Sequence, residues 1–326
     1  MPLKKTIKND KGFALMITIM IFCLIVPLTL RFNTTTEFQK VSAANLKFGI
    51  QLTCAAGSGL QYALAVLYQD ALSTEYDSEV ESWAETLTSG TDSDFGDAAF
   101  TVKIGDHSGR ININRLVMQE NPGEEQVFDA MQKDRLTLLL QSLDLDLEDD
   151  EIGDIINSIK DWIDRDDEIT DEGGIGAESA YYQGLSRPCL CRNGPLPDLE
   201  ELSLIKGIDN VIYDEMAKYL TIYGKGEINI NTAPNLVLAS LSDDMDTELA
   251  ENMIEYRNDE KNDLSTIHWT KDVSGMNDIT LDQITVISTH FEIISIGSRG
   301  EMKKTIKSLV EREEKGTIKV LTRKVY

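Results

Sequence analysis

The densest chemistry in the 326-residue sequence is a run of carboxylates between Asp161 and Glu178. Asp161, Asp164, Asp166, Asp167, Asp171 and Glu178 offer hard oxygen donors of the kind Ca2+ gathers several at a time. Gly173, Gly174 and Gly176 give the loop freedom to wrap around an ion. The spacing is not that of an EF-hand. Counted from Asp164, Ile169 stands where that loop needs glycine and Ile175 where it needs a bidentate glutamate. Two readings follow: a calcium site built from Asp161, Asp164, Asp166, Asp171 and Glu178, or a solvated acidic loop.

Other reactive side chains are scattered. His107, His268 and His290 lie far apart, and no H-E-x-x-H, G-x-S-x-G or P-loop pattern occurs. Gly57-Ser58-Gly59 lacks the third glycine of a dinucleotide fingerprint and follows a helical stretch. The reading is therefore not an enzyme. A net charge of −25 and a pI near 4.4 argue against nucleic acid, whose phosphates need clustered Lys and Arg. Cys189 and Cys191 are too close for a relaxed disulfide with each other, which leaves their pairing open. Cys23 and Cys54 fall in helical stretches nearer the N-terminus.

Several elements must position these groups. Gln126–Leu143 and Leu147–Ile163 carry helical spacing, and Glu148-Asp149-Asp150-Glu151 places acids in the first turn of the second, where the helix dipole favours them. Asp198 caps a short helix, another runs over Asn210–Tyr219, and others follow Pro234 and span Glu248–Arg257. Gly109-Arg110-Ile111-Asn112-Ile113-Asn114 recurs as Gly226-Glu227-Ile228-Asn229-Ile230-Asn231, so two related helical modules are expected. Residues 73–97 read as loop. Ala99–Ile104 and Arg110–Asn114 alternate as strands joined by a hairpin turn, and a three-stranded antiparallel meander closes the chain from His290.

At the other end, no charged residue falls between Lys11 and Arg31. Residues 13–30 span about 27 Å as helix, close to the hydrocarbon thickness of a bilayer. Lys4, Lys5, Lys8 and Lys11 precede that run and keep the N-terminus cytoplasmic, with the bulk of the chain exported. Pro27 lies inside it and is expected to kink or loosen it. Spacings of three and four from Phe38 to Leu67 continue the helix to about Tyr68. The small residues Ala55-Ala56-Gly57-Ser58-Gly59 would let a sheet approach closely.

A basic leader ending in Gly12, followed by Phe13-Ala14-Leu15 and an unbroken apolar helix, resembles the type III signal of pilins and pseudopilins. Together with Asp106–Asn114, Asp161–Asp166, Gly176-Ala177-Glu178, Tyr181-Tyr182 and Ile230–Pro234, it is similar to the minor pseudopilin K family of type II secretion. The resemblance implies an α+β fold, a pilin-like long N-terminal helix on an antiparallel sheet with a large helical insertion. It divides the chain into a leader (1–12), a transmembrane part (13–30), a discontinuous α/β domain (31–114 and 287–326) and two helical modules (115–225 and 226–286). It implies cleavage between Gly12 and Phe13 by a prepilin peptidase, with Phe13 N-methylated, and bound calcium in the helical region. It also implies a periplasmic body on an inner-membrane helix, placed at the pseudopilus tip with minor pseudopilins I and J to prime assembly of the major pseudopilin and support protein secretion. Most relatives carry Glu at the fifth mature position, where this chain has Ile17. A tip subunit has no neighbour above to meet that carboxylate, so Ile17 marks the tip position.

Two alternatives share some of these features. Ile205-Lys206-Gly207-Ile208-Asp209 and Ile230–Pro234 resemble the helix-hairpin-helix modules of membrane-anchored DNA-uptake receptors. Asp209, Asp214, Glu215, Asp243 and Asp244 would there repel phosphate. A minor pilin of a type IV pilus shares the signal but not usually the insertion.

Overall fold

One helix dictates the shape of the molecule. The computed structural model describes residues 11–88, 97–119, 126–276, 281–313 and 316–326, so the leader residues 1–10 lie outside it. Helix α1 (Lys11–Ser73) is continuous through Pro27 and runs five residues beyond the expected end at Tyr68. Its first half, from Phe13 to Leu30, is exposed and reaches a mean hydropathy of 2.7, long and apolar enough to cross a membrane. Its second half buries Leu52, Ala55, Ala56, Leu60, Ala63 and Leu67.

Chain order explains what covers that face. After α1 come β1 (Leu87–Thr88) and β2 (Ala99–Asp106), then the insertion, and finally β9 (His290–Arg299), β10 (Met302–Arg312) and β11 (Ile318–Val325). These five strands form one antiparallel sheet in the order β1-β2-β9-β10-β11. Phe291, Ile293, Ile306, Val310, Val102 and Ile104 meet the small-residue seam of α1, and Trp83 closes the core edge-on to Phe291 at 5.3 Å. The approach is close enough that a Cβ on Gly297 would collide with the Leu52 carbonyl, and one on Gly59 with Ser295. Ser295 Oγ donates to the Ala56 carbonyl at 2.7 Å across the seam.

The insertion has its own core, a single apolar cluster from Ile111 to Val286 shared by both modules. It begins with β3 (Ile111–Asn112), the two-residue pair β4 (Val117–Met118) and β5 (Val127–Phe128), α2 (Ala130–Ser142) and α3 (Asp149–Ile163). It continues through α4 (Ser179–Gln183), α5 (Asn210–Met216), β6 (Leu220–Thr221), β7 (Ile228–Asn229), α6 (Asn235–Ala239), α7 (Thr247–Arg257) and β8 (Ile284–Thr285). Asp129, Asp209 and Asp246 cap α2, α5 and α7 by accepting backbone N–H groups, as their residue types favour. Within the stretch 73–97 expected as loop, α1 ends at Ser73 and turns and the two-residue β1 follow, while residues 89–96 lie outside the described part.

The expected hairpin between Ala99–Ile104 and Arg110–Asn114 does not form. β2 is already flanked by β1 and β9, so no edge remains for β3. Asp106 turns the chain away by accepting the N–H groups of Ser108 and Gly109 at 2.8 and 3.0 Å. β3 instead pairs in parallel with β6, and its echo β7 pairs in parallel with β8.

Insertion and sheet are bolted together by a buried ion network. Arg312 at the end of β10 donates to Asp70 of α1 at 3.0 Å, to both oxygens of Asp77, and to the Ser288 carbonyl at 3.0 Å. Burial pushes the Asp77 carboxyl up to about 6, against the pull of Arg312. The folded state thus holds this proton more tightly than the unfolded chain does. The group's contribution to stability is full below about pH 4 and is lost as pH rises through about 6. Denaturant melts across that window should show a slope in the wild type and a shallower one in Asp77→Asn, which removes this group's share and leaves that of the other raised carboxyls.

Candidate functional site

The acidic loop is built on the C-terminal end of α3, an amphipathic helix that buries Ile152, Ile155, Ile156, Ile159, Trp162 and Ile163. Its polar residues then hold the following loop. Asp154 Oδ1 accepts the Ile175 N–H at 2.6 Å, Asn157 donates to the Gly174 carbonyl at 2.7 Å, and Asp161 accepts the Thr170 N–H at 3.1 Å. Gly153 and Gly174 meet backbone to backbone, where a Cβ on either would collide with the other segment. Lys206 reinforces the return by donating to Asp154 at 3.2 Å and to the Ile175 carbonyl at 2.8 Å. On the inner side Trp162 packs edge-on to Tyr182 at 4.8 Å, and the Tyr182 hydroxyl accepts the Lys206 N–H at 3.2 Å.

Within this frame three of the expected carboxylates converge. Oxygens of Asp164, Asp166 and Glu178 all lie within 4.8 Å of one another. Asp164 is fully buried and Glu178 is 2 % exposed. Each has one oxygen engaged: Asp164 Oδ2 accepts from Lys160 Nζ at 2.7 Å, and Glu178 Oε2 accepts the Ser179 N–H at 3.2 Å. The other oxygen of each, Asp164 Oδ1 and Glu178 Oε1, is buried with no hydrogen-bond partner among the described residues. Unsatisfied buried carboxylate oxygens are costly. Burial pushes Asp164 up to about 6 and Glu178 to about 7, with neighbouring carboxylates adding to both. A hard cation coordinated by these free oxygens would remove that cost, so the donor set fits calcium chemically.

The remaining expected residues stand elsewhere. Asp161 spends both oxygens on the Thr170 N–H, at 3.1 and 3.3 Å, and so anchors the loop. Asp171 is exposed and forms a bridge with Ile175, away from the trio. Asp167 is exposed and accepts from Asn193 at 3.1 Å. Gly12, Phe13 and Ile17 lie in the first turns of α1, with Phe13 and Ile17 solvent-facing.

Two contributors went unnoticed in the sequence. Lys160 sits one turn before Asp164, an i,i+4 spacing that would have revealed the pair. Asn193, at a positive φ of 49°, donates to the Asp166 carbonyl at 2.7 Å while its own Oδ1 is buried and unpartnered. The run Asn193-Gly194-Pro195 is turn chemistry, which fits the backbone geometry but carries no trace of this neighbourhood. Cys191 is a free buried thiol that donates to the Asp161 carbonyl at 3.2 Å, its ionisation pushed up to about 12 by burial. Cys189 is also free.

Asp70, Asp77 and Glu81 form a second carboxylate group, in which Arg312 already pairs with Asp70 and Asp77. The structure also brings His107 edge-on to the Tyr223 ring and stacks His290 on it. Burial holds His107 down at about 3, and its Nδ1 meets the buried Thr221 hydroxyl at 3.1 Å. This neutral imidazole packs in the junction. At the acidic loop, a Cβ at position 176 would collide with Asp161 Oδ2. Gly176→Ala should therefore cost about 1–3 kcal/mol and speed hydrogen exchange at the Thr170 amide.

Known proteins agree with this architecture. Family models described as type II secretion system (T2SS), protein K match residues 109–225 and 228–286. Type II secretion system protein K of Aeromonas hydrophila is 27% identical over 244 residues, covering 69% of this chain and 68% of that protein. The protein of the same description from Pseudomonas aeruginosa PAO1 is 27% identical over 247 residues, covering 74% and 69%. The crystal structure of the GspK-GspI-GspJ complex from the enterotoxigenic Escherichia coli type 2 secretion system shares the fold, with a TM-score of 0.71. At 18% identity the match covers 87% of this chain and 99% of that one. With both family models falling on the insertion, and the exposed apolar helix and antiparallel sheet around it, the chain belongs to the type II secretion system protein K family.

Proposed function

We propose that the chain is the minor pseudopilin at the tip of the type II secretion pseudopilus, where it primes assembly with minor pseudopilins I and J. The observation that carries this reading is where the insertion leaves the sheet. Phe48 stacks on Arg299 at the membrane-proximal end, and Asp70 meets Arg312 at the opposite end. These contacts lie about 33 Å apart along α1. The chain departs after Asp106 and returns at His290, at that distal end, so the insertion occupies the space a subunit stacked above would need. A filament can grow beneath such a subunit but not over it. Ile17 agrees with this position, since a carboxylate there would have no amine above to meet.

The inferred processing follows from the same reading: prepilin peptidase cuts between Gly12 and Phe13, Phe13 is methylated, and the helix waits in the inner membrane with the body periplasmic. The role is structural, with the major pseudopilin as a further partner. Mass spectrometry of the mature chain should find N-methyl-phenylalanine from position 13; an intact Met1 would overturn the assignment. The full-length chain in detergent should co-purify with pseudopilins I and J, and Ile17→Glu should leave that assembly intact while weakening tip placement. Recovery of the variant only as a single chain would count against the position argument.

We further propose calcium at Asp164, Asp166 and Glu178, with Asp161 holding the loop in place. Calcium in millimolar excess should raise the melting temperature of the wild type. Glu178→Gln should abolish that rise while remaining folded without metal, because it removes a buried charge that no cation pairs, whereas Asp164→Asn would also strand Lys160. A wild-type melting temperature that ignores calcium would refute the site.

A further inference from the structure

The last strand carries features that neither the fold nor the proposed role uses. β11 is an edge of the sheet, eight residues long, whereas the opposite edge β1 has only two. α1 packs mainly across β2, β9 and β10, and most β11 side chains are exposed, Val320, Val325 and Tyr326 among them. Thr305 and Tyr326 exchange backbone hydrogen bonds at 3.2 and 2.9 Å. In an antiparallel ladder such pairs alternate, so Thr322, Lys324 and Tyr326 turn their amides toward β10. Arg323 and Val325 turn theirs away, toward a side with no further strand among the described residues.

Charge singles out the same strand. The chain carries −25 overall, yet nine Lys and Arg stand against four Glu between Arg299 and Tyr326. Lys319 and Arg323 are exposed along the open edge itself, and Lys324, exposed beside them, reaches Asp198 at 3.2 Å. We propose that the β11 edge receives an extended acidic segment of another protein as a sixth strand. Backbone bonds to Arg323 and Val325 would supply the register, and Lys319, Arg323 and Lys324 the preference for acidic side chains. A second copy of this chain fits poorly, because it would align the same cations face to face. An anionic membrane is out of reach. Arg323 lies against Gly57, which is about 40 Å along α1 from Leu30.

The test uses the full-length chain in detergent and a synthetic acidic β-prone peptide of about ten residues, with its lysine-substituted counterpart as control. The acidic peptide should slow hydrogen exchange at Arg323 and Val325 but not at Lys324, which is already bonded. Val325→Pro removes an outward N–H that the β10 ladder does not use, and Arg323→Glu reverses the charge. Each should weaken binding about tenfold with an unchanged melting temperature. Equal binding of the lysine peptide, absence of protection at Arg323 and Val325, or self-association through this edge would each overturn the proposal. So would binding of anionic vesicles that depends on the same three cations.

Discussion

Arg312 holds this molecule in one piece. Its guanidinium is buried with Asp70, which closes the last turns of α1, and with Asp77, which opens the segment leading to the sheet. Asp77 in turn accepts the Ser288 N–H at 2.7 Å, and its backbone pairs with Val286 and Asn229 at the exit of the insertion. Helix, sheet and insertion therefore meet at one charge cluster. Burying such a group costs desolvation that only full pairing repays, and removing one partner leaves a charge with nowhere to go. The gain is orientational: an apolar interface would let a large insertion slide on a small sheet, and directional hydrogen bonds do not.

The sequence made the regular elements legible because their patterns have short periods. The three-four spacing of α1, the alternation in β2, β9, β10 and β11, and the Asp198 cap, which accepts the Glu200 N–H, all act within a few residues. The small-residue stretch at 55–59 was also readable, since close approach leaves a compositional trace. What failed was pairing. Arg110–Asn114 alternates like a hairpin strand, but whether β2 has a free edge depends on β9, almost two hundred residues later. Local pattern specifies a strand and not its neighbour.

The acidic loop shows the same limit at finer scale. Eight carboxylates in eighteen residues look equivalent along the chain. In space they divide by what else each can reach. Asp161 faces the Thr170 amide, Asp171 faces solvent, and only Asp164, Asp166 and Glu178 turn inward together. The sorting is done by Gly153, Gly174 and Gly176, which let the loop lie on the α3 backbone without a side chain between. Glycines in an acidic run thus carried as much information as the acids, but as a statement about approach distance and not about wrapping.

The repeated Ile-Asn-Ile-Asn run resolves into a shared mechanical task. In each copy the first asparagine accepts, through Oδ1, the N–H of the second: Asn112 from Asn114 at 3.0 Å, and Asn229 from Asn231 at 2.9 Å. Each also donates twice through Nδ2, Asn112 to the carbonyls of Tyr223 and Gly224, Asn229 to the Asp77 carbonyl and Ser288 Oγ. The second asparagines fasten a distant loop, Asn114 at Leu196 and Asn231 at Leu264. Aspartate is nearly isosteric but has no donors, and at these buried positions it would add a charge facing carbonyl oxygens. Only the amide, donor and acceptor at once, can close a module at its entry and its exit together. The motif is therefore a clamp, and it recurs because each module must return its chain to the place from which it left.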